Sequence, residues 1–239
     1  GYVLNHSNIK ILLNTKVSSV NDHNFCTLIQ NSTIYNQLHN IYSADQILWK
    51  IRAKKIVIAA GSVERPMLFD NNDLPGIMSS NSISTYVNKF GVIPGKNIIL
   101  YTNNDYSYQM VFDLLQNGIK VNAVIDVRKN ISKEILYKLQ KNNIKVILDH
   151  QIIKAFGDKS INKINISSIN TKNEINIECN LLAVSNGFSP INQFHIQSGG
   201  SLEYSDKTDC FIPIETKSSP IHIGGSAGTF DLVESIKSS

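Results

Sequence analysis

The chain of 239 residues has little of what marks several common classes of protein. It contains only three cysteines, Cys26, Cys179 and Cys210, and none of them forms a CxxC pair. This absence excludes a redox-active CxxC disulfide and a zinc ribbon and favours a reducing compartment, so we expect a cytoplasmic location. No apolar run approaches the length of a membrane span, about 18 residues, and no charged and then apolar leader opens the chain. We therefore expect no contact with a membrane.

Charge of one sign is not concentrated anywhere in the chain. The 23 basic and 19 acidic residues leave a net charge of +4 without a basic run, which argues against nucleic acid as a partner. The six histidines form no HxxxH or HExxH pair, so we expect no metal site. No residue stands out as a catalytic acid, base or nucleophile, and we assign none. With 42% hydrophobic residues the chain can bury a core, and two modest domains fit its length better than one.

One pattern occurs twice along the chain. Each copy has an Asn-Ile-Lys start followed by apolar residues (8–13 and 143–148), then a polar stretch, then a short apolar run that ends in a small residue and Gly (52–62 and 177–188). Such a run indicates a buried parallel strand whose carboxyl end lets a ligand approach the backbone. Open α/β sheets bind ligands at that end. We therefore predict an α/β protein with two Rossmann-like, three-layer domains, each carrying a β-meander.

The order of the predicted elements indicates that the second domain is inserted in the first. The predicted strands cover 8–20, 25–29, 46–52, 56–60, 97–101, 120–127, a second meander over 144–178, 181–184 and 221–223. The predicted helices cover 80–90, 106–117, 132–142 and a last one from Thr229. Residues 1–93 and 188–239 are thus predicted to form the first domain, and residues 94–187 the second.

The turn Gly224 to Gly228 is the best candidate for a phosphate site, because such a site needs backbone donors and no Cβ in the way. A tight strand-to-helix turn without a ligand is the simpler alternative. The same residues match GxSxG, the nucleophile elbow of hydrolases, but no His follows Ser226. In the second domain the turn Thr102 to Ser107 has a side chain at every position where a glycine fingerprint is needed. With Asp126 as a solvated strand-end acid, we expect that domain to bind no nucleotide.

Several longer motifs are similar to one known family. The block 64–95, with Glu64-Arg65-Pro66 and Asp70-Asn71-Asn72-Asp73-Leu74-Pro75-Gly76, closely resembles the α subunit of heterotetrameric sarcosine oxidase. So does the tail motif Ala227-Gly228-Thr229-Phe230-Asp231-Leu232. The resemblance covers nearly the whole chain. The α subunits of opine oxidases and D-hydroxyproline dehydrogenases share the architecture, so the amine substrate stays open.

The resemblance implies an FAD/NAD(P)-binding reductase-like fold. It also implies a part in the oxidative demethylation of sarcosine to glycine, with formation of hydrogen peroxide and methylene-tetrahydrofolate. In that family the α subunit holds NAD, FMN lies between the α and β subunits, and the catalytic FAD belongs to the β subunit, with γ and δ completing the assembly. The chain would then be a central fragment of α, preceded by the first GxGxxG motif and followed by the region that handles tetrahydrofolate.

Candidate cofactor-binding residues are carried over from the same resemblance. Val17 corresponds to an adenine contact, and Ala60 and Gly61 to a strand end beside the cofactor. The matching tail residues are Gly225, Ser226, Ala227, Gly228 and Thr229. There, a serine replaces the Asp that grips the ribityl chain of FAD, which suits NAD or a vacant site. Two rival interpretations stay open: a free-standing NAD(P)H-dependent flavin reductase, and a structural subunit that binds no nucleotide.

Overall fold

A computed structural model describes residues 6–31, 45–217 and 219–237, which divide into two units. Unit 1 comprises 1–62 and 190–239, and unit 2 comprises 63–189. The strands are β1 (Thr15–Asn21), β2 (Phe25–Asn31), β3 (Gln46–Arg52), β4 (Val57–Ile58), β5 (Ser62–Glu64), β6 (Ile77–Ser79), β7 (Ile98–Thr102), β8 (Val121–Asp126), β9 (Lys145–Leu148), β10 (His150–Gly157), β11 (Ile161–Ser168), β12 (Glu174–Glu178), β13 (Leu181–Ser185), β14 (Phe188–Pro190), β15 (Leu202–Ser205), β16 (Cys210–Pro213) and β17 (Ile221–His222). The helices are α1 (Ser80–Phe90), α2 (Tyr108–Gln116), α3 (Lys133–Lys141), α4 (Gln193–Gln197) and α5 (Leu232–Lys237). Among the described residues, no helix has the length and apolar character needed to cross a membrane.

The boundary between the units differs from the predicted one. The sequence predicts a first domain that extends to residue 93, whereas residues 63–93 belong to unit 2. Strand β6 pairs in parallel with β13, and Asp70 forms a bridge with Lys154. Because both partners lie inside unit 2, the segment before residue 94 packs with the inserted unit. The chain returns to unit 1 at residue 190, close to the predicted 188.

Unit 2 is a three-layer α/β structure. Its five strands are parallel, in the order β6-β13-β7-β8-β9, and the antiparallel meander β10-β11-β12 covers one face. Along β7, Ile98 and Leu100 pack against the helices, and Ile99 and Tyr101 pack against the meander side. Successive side chains of a strand point to opposite faces, so a strand that is apolar at nearly every position is buried on both sides. The three-layer prediction is confirmed for this unit.

Helix α1 has the predicted bounds because both of its ends are capped. At its start the Ser79 hydroxyl accepts a hydrogen bond from the backbone N–H of the third helical residue. The Glu64 carboxylate accepts from the Asn81 N–H at 2.9 Å and from the Ser80 hydroxyl. A carboxylate is stabilised there by the partial positive charge of a helix N-terminus. Gly91, with φ of +64°, ends the helix in the left-handed conformation that glycine adopts without strain.

Unit 1 begins with a meander that resembles that of unit 2. Strands β1, β2 and β3 are antiparallel, β4 pairs in parallel with β17, and β15 and β16 form a hairpin. The predicted strand over 8–20 is wrong in its first half, since β1 begins at Thr15. Residue Asn14 has φ of +50°, which interrupts extended backbone, and Ile9 and Ile11 are 45% and 40% exposed. The repeat is thus confirmed for the meander and the parallel strand after it.

A cluster of three side chains, Asp126, Arg128 and Tyr108, joins β8 to α2 in unit 2. Asp126 is fully buried and not, as the sequence suggests, solvated. Its carboxylate accepts hydrogen bonds from Arg128 Nη2 and from the Tyr108 hydroxyl, each at 2.8 Å. The same Nη2 lies 2.7 Å from Asp105 Oδ1. These contacts raise the pKa of Arg128, while burial and the Asp126 charge raise the pKa of Tyr108. The guanidinium therefore compensates a carboxylate that has no access to water.

Replacing Arg128 by Gln should destabilise unit 2 by about 3 kcal/mol, because it leaves a buried carboxylate without its cation. Urea unfolding of the wild type and the variant measures this loss. The double variant R128Q/D126N should recover part of it, since a neutral amide costs less to bury than an unpaired charge. Replacing Lys138 by Gln removes a cation from an exposed pair with Glu134 and should change stability little. Equal losses for R128Q and K138Q would contradict this account.

Candidate functional site

The candidate site lies where β4 and β17 end side by side in unit 1. The two strands pair in parallel, with His222 opposite Ile58, and the Ile223 N–H donates to the Ile58 carbonyl at 3.1 Å. Beyond β4 the chain passes through Gly61, which has φ of +77°. A Cβ built on Gly61 would have no atom within 4 Å. The backbone at this strand end is therefore open to a ligand.

Gly225 lies against that strand end. A Cβ on Gly225 would come within 3.1 Å of Ser62 Oγ and 3.3 Å of the Gly61 carbonyl carbon. The structure thus brings Gly61 and Gly225 together, as the sequence predicts. However, Gly225 is needed for the close approach of two backbone segments. A larger residue there would therefore disrupt the packing of the turn on the strand end, whether or not a ligand binds.

Ser226 is turned away from any ligand. Its side chain is fully buried, and its hydroxyl lies 2.7 Å from the Ile58 carbonyl oxygen and 2.8 Å from that of Ile223. The hydroxyl therefore ties the turn to the ends of both strands. Ser226 stays a predicted cofactor-binding residue, but its hydroxyl is bonded within the protein, and its burial also argues against a nucleophilic role of the GxSxG kind.

The turn itself is a short 3-10 helix over Gly224–Ala227, with half-buried Ala227 as its last residue. The N–H of Gly228 donates to the Gly225 carbonyl at 3.2 Å, and the N–H of Thr229 donates to the Gly224 carbonyl at 3.1 Å. These two N–H groups are used inside the turn and are not free to donate to a phosphate, while the phosphate site at Gly224–Gly228 stays a prediction. The following helix begins at Leu232, three residues later than predicted.

An apolar cavity of about 360 Å³ lies between the meander and β4. Val17, which is 42% exposed, and Ala60 both line it. The other lining residues are Val20, Cys26, Leu28, Ile51, Ile56, Val57, Ile58, Ala59 and Phe194. Its volume falls in the range of small-molecule sites, about 300 to 1,000 Å³. The structure thus places the predicted adenine contact and the predicted strand-end residue in the wall of one cavity.

The corresponding strand ends in unit 2 are filled by side chains. In the turn after β7, the Ser107 hydroxyl donates to Thr102 Oγ1 at 2.7 Å, and Asn103 Nδ2 donates to Asn186 Oδ1 at 2.6 Å. Gly187, which follows β13, has φ of +73° like Gly61. A Cβ on Gly187 would lie 3.1 Å from Arg65 Nη2, so this glycine faces a guanidinium in place of open space.

Two histidines in unit 1 form a buried pair that the sequence did not indicate. His195 and His222 are 0% and 5% exposed, and His222 Nε2 lies 3.1 Å from His195 Nδ1. Spacing gives no signal, because the two residues come from α4 and β17. Within the described ranges, no group of three or more His, Cys, Asp or Glu side chains could hold a metal ion.

Comparison with known proteins agrees with these observations. No family model matches the chain. Sarcosine oxidase subunit alpha of Corynebacterium sp. (strain U-96) is 32% identical over 195 residues, which cover 79% of this chain and 20% of that protein. The same subunit of Corynebacterium sp. (strain P-1) is 29% identical over 232 residues, which cover 94% of this chain and 24% of that protein.

The chain belongs to the sarcosine oxidase α-subunit family. It spans about a fifth of the length of these relatives. The resemblance predicted from the motifs is confirmed, and with it the assignment to an oxidoreductase family.

Solved structures support the fold of this family member. Thioredoxin reductase of T. acidophilum superposes with a TM-score of 0.64 and 14% identity, over 92% of this chain and 68% of that chain. L-proline dehydrogenase of P. horikoshii superposes with a TM-score of 0.58 and 18% identity, over 93% of this chain and 38% of that chain. An FAD-dependent pyridine nucleotide-disulphide oxidoreductase of Desulfovibrio vulgaris superposes with a TM-score of 0.55 and 14% identity, over 82% of this chain and 51% of that chain. The predicted FAD/NAD(P)-binding reductase-like fold is confirmed.

Unit 2 of this α-subunit chain should bind neither NADH nor NADPH with a dissociation constant better than about 1 mM, an affinity of only about 4 kcal/mol. The Asp126 carboxylate is already paired, and the turn after β7 presents side chains in place of glycine. Residues 63–189 contain cores on both faces of their own sheet, so this piece is suitable for calorimetric titration. Saturable binding at micromolar NADPH would show that the turn opens to accept a phosphate.

Proposed function

We propose that this chain is part of the α subunit of a sarcosine oxidase-type enzyme and contributes to its NAD site. The observation that carries the proposal is the contrast between two strand ends. Gly61 faces open space beside an apolar cavity, whereas Gly187 faces Arg65. Of these two strand ends, the one in unit 1 leaves the backbone accessible to a dinucleotide.

The residues of unit 1 fit the two parts of NAD that need most recognition. An adenine ring is flat and largely apolar at its faces, which suits a cavity with Val17 and Ala60 in its wall. The pyrophosphate needs a backbone that it can approach without meeting a Cβ, and Gly61 supplies that approach. When bound, NAD would supply a nicotinamide ring that can accept or donate a hydride.

The chemistry of the complete enzyme would take place on other chains. Among the described residues of the site, the Ser226 hydroxyl is bonded to backbone carbonyls, and burial raises the pKa of the Cys26 thiol, so neither is an activated nucleophile. We propose that the catalytic FAD lies in a β subunit, that FMN lies between α and β, and that γ and δ complete the assembly. The enzyme would oxidise the CH–NH bond of sarcosine in the cytoplasm, with tetrahydrofolate accepting the methyl carbon at another region of α.

A free-standing NAD(P)H-dependent flavin reductase is the less favoured reading. Such an enzyme needs a second nucleotide site for the reductant, and in unit 2 that place holds the Arg128 ion pairs with Asp126 and Asp105. In the sarcosine oxidase-type enzyme that we propose, unit 2 would instead present surfaces to the other subunits.

Replacing Gly61 by Asn should weaken NAD binding to the full-length α subunit more than tenfold. Asn tolerates a positive φ better than other residues do, so the backbone is retained, while its side chain enters the space that the pyrophosphate would use. Binding is measured by calorimetric titration of NAD, and folding by thermal unfolding.

Gly118 offers a matched control in unit 2. It has φ of +72° and, like Gly61, no atom within 4 Å of a built Cβ. G118N should therefore cost similar stability and leave NAD binding unchanged. Unaltered NAD affinity in G61N would place the nucleotide elsewhere in the subunit.

The chain of residues 1–239 alone should form no hydrogen peroxide from sarcosine, even with FAD, FMN and NAD supplied. The proposal puts the reacting flavin on the β subunit, and the candidate site holds no group that could act on the amine. Peroxide is measured by a peroxidase-coupled assay.

Two controls bracket this experiment. Boiled protein sets the background, and the complete α subunit mixed with the β, γ and δ subunits should restore turnover. Sarcosine-dependent peroxide above the boiled background from the chain alone would show that the active site lies on α.

A further inference from the structure

The buried pair His195–His222 lies in unit 1 and has no part in the function proposed above. Buried histidines are expected to have every ring nitrogen paired. Here three of the four nitrogens have partners, and Nδ1 of His222 has none. This orphan acceptor lies on the last residue of β17, immediately before the segment that leads into the turn.

The hydrogen bonds fix both tautomers. His195 Nε2 lies 3.0 Å from the Ser201 carbonyl oxygen, which can only accept, so Nε2 carries the proton. His195 Nδ1 is then an acceptor, and His222 Nε2 must donate to it. It follows that the Nδ1 of neutral His222 is a bare acceptor. The absence of a side chain at Gly200 leaves room for the His195 ring, because a Cβ there would lie 2.3 Å from His195 Nε2.

The surroundings of His222 allow one proton to be added at that nitrogen. Burial and the adjacent His195 lower the pKa of His222, while Glu215 and the backbone of Ser226 act in the opposite direction. A backbone group that favours the charged ring is a carbonyl, so the Ser226 carbonyl is the acceptor for a proton on Nδ1. Glu215 Oε1 accepts a hydrogen bond from the His222 backbone N–H at 2.8 Å.

The turn Gly224–Ala227 contains no titratable side chain, and neither does β4. Strand β16, which packs on the turn, brings Cys210, whose Sγ–H donates to Thr208. Helix α5 also packs on the turn and brings one acidic and one basic side chain, Glu234 and Lys237, which are both exposed to solvent. The first proton at Nδ1 preserves the His222-to-His195 hydrogen bond, whereas a proton at His195 Nδ1 would break it.

We propose that His222 is a positioning residue for the turn Gly224–Ala227, and that protonation of its Nδ1 ties the ring to the Ser226 carbonyl and tightens NAD binding. The inference rests on the function proposed above. A cation behind the turn attracts the pyrophosphate across the candidate site, and in a partly desolvated place this attraction is larger than in water. By linkage, bound NAD then favours the proton on His222 to the same extent.

The direction of the pH effect follows from the same geometry. In the free protein, a lowered pKa means that the folded state binds fewer protons than the unfolded state, so stability is complete above about pH 6.5 and falls as the pH drops. NAD binding should change in the opposite sense and become tighter in acid. A purely structural role for the pair predicts only the loss of stability.

The test compares the wild-type full-length α subunit with the variant His222→Gln. The amide of Gln can donate to His195 Nδ1 from the position of Nε2 but does not titrate. NAD affinity of the wild type should rise about fivefold from pH 8 to pH 6, which corresponds to about 1 kcal/mol, with proton uptake detected by calorimetry in two buffers. In H222Q the affinity should change less than twofold, without proton uptake.

The variant His23→Gln is the matched control, because His23 is an exposed histidine of unit 1 with a side chain 80% accessible. It should keep the pH dependence of the wild type. The same pH dependence in H222Q as in the wild type would overturn the role of His222, and so would binding without proton uptake. Absence of NAD binding at both pH values would refute the NAD site itself. Should H222Q fold poorly, a wild-type NAD affinity that is the same at pH 8 and pH 6 would overturn the proposal.

Discussion

The parallel contact between β4 and β17 is the constraint on which the candidate site depends. These strands are only two residues long, and the whole of unit 2 lies between them in sequence. Closing such a long loop costs conformational entropy, so the ends must be held by specific bonds. The Ser226 hydroxyl supplies one, because it reaches the carbonyl of Ile58 on β4 and that of Ile223 after β17. Gly225 permits the approach by having no side chain.

The two units share one arrangement of backbone elements but differ in the side chains around it. Each has a meander followed by a buried parallel strand, and each strand leads to a glycine with positive φ, Gly61 or Gly187. What differs is the side chains around the glycine. Arg65 fills the space at Gly187, and Arg128 neutralises Asp126 nearby in the same sheet. Hydrogen bonds and ion pairs made within unit 2 thus occupy the groups that a nucleotide would need.

Much of the fold could be predicted because it is determined by local patterns of apolar and capping residues. Strand β3 and helix α1 have the predicted bounds, since apolar spacing and caps decide them. The burial of Asp126 was missed because it depends on Arg128 folding back onto the strand end, which no pattern signals. The inward turn of Ser226 and the His195–His222 pair were missed for the same reason: each joins residues that are far apart in sequence.

The choice of serine at position 226 bears on which cofactor the site can hold. An Asp at this place could offer a carboxylate to the hydroxyls of a ribityl chain, whereas a hydroxyl already bonded to two carbonyls has nothing left to donate. The N–H groups of Gly228 and Thr229 are also used within the turn. In the proposed NAD site, recognition would then come from the apolar cavity and from the open backbone at Gly61. That combination favours a ligand held by its adenine and pyrophosphate, as NAD would be, over one held along a polyol chain.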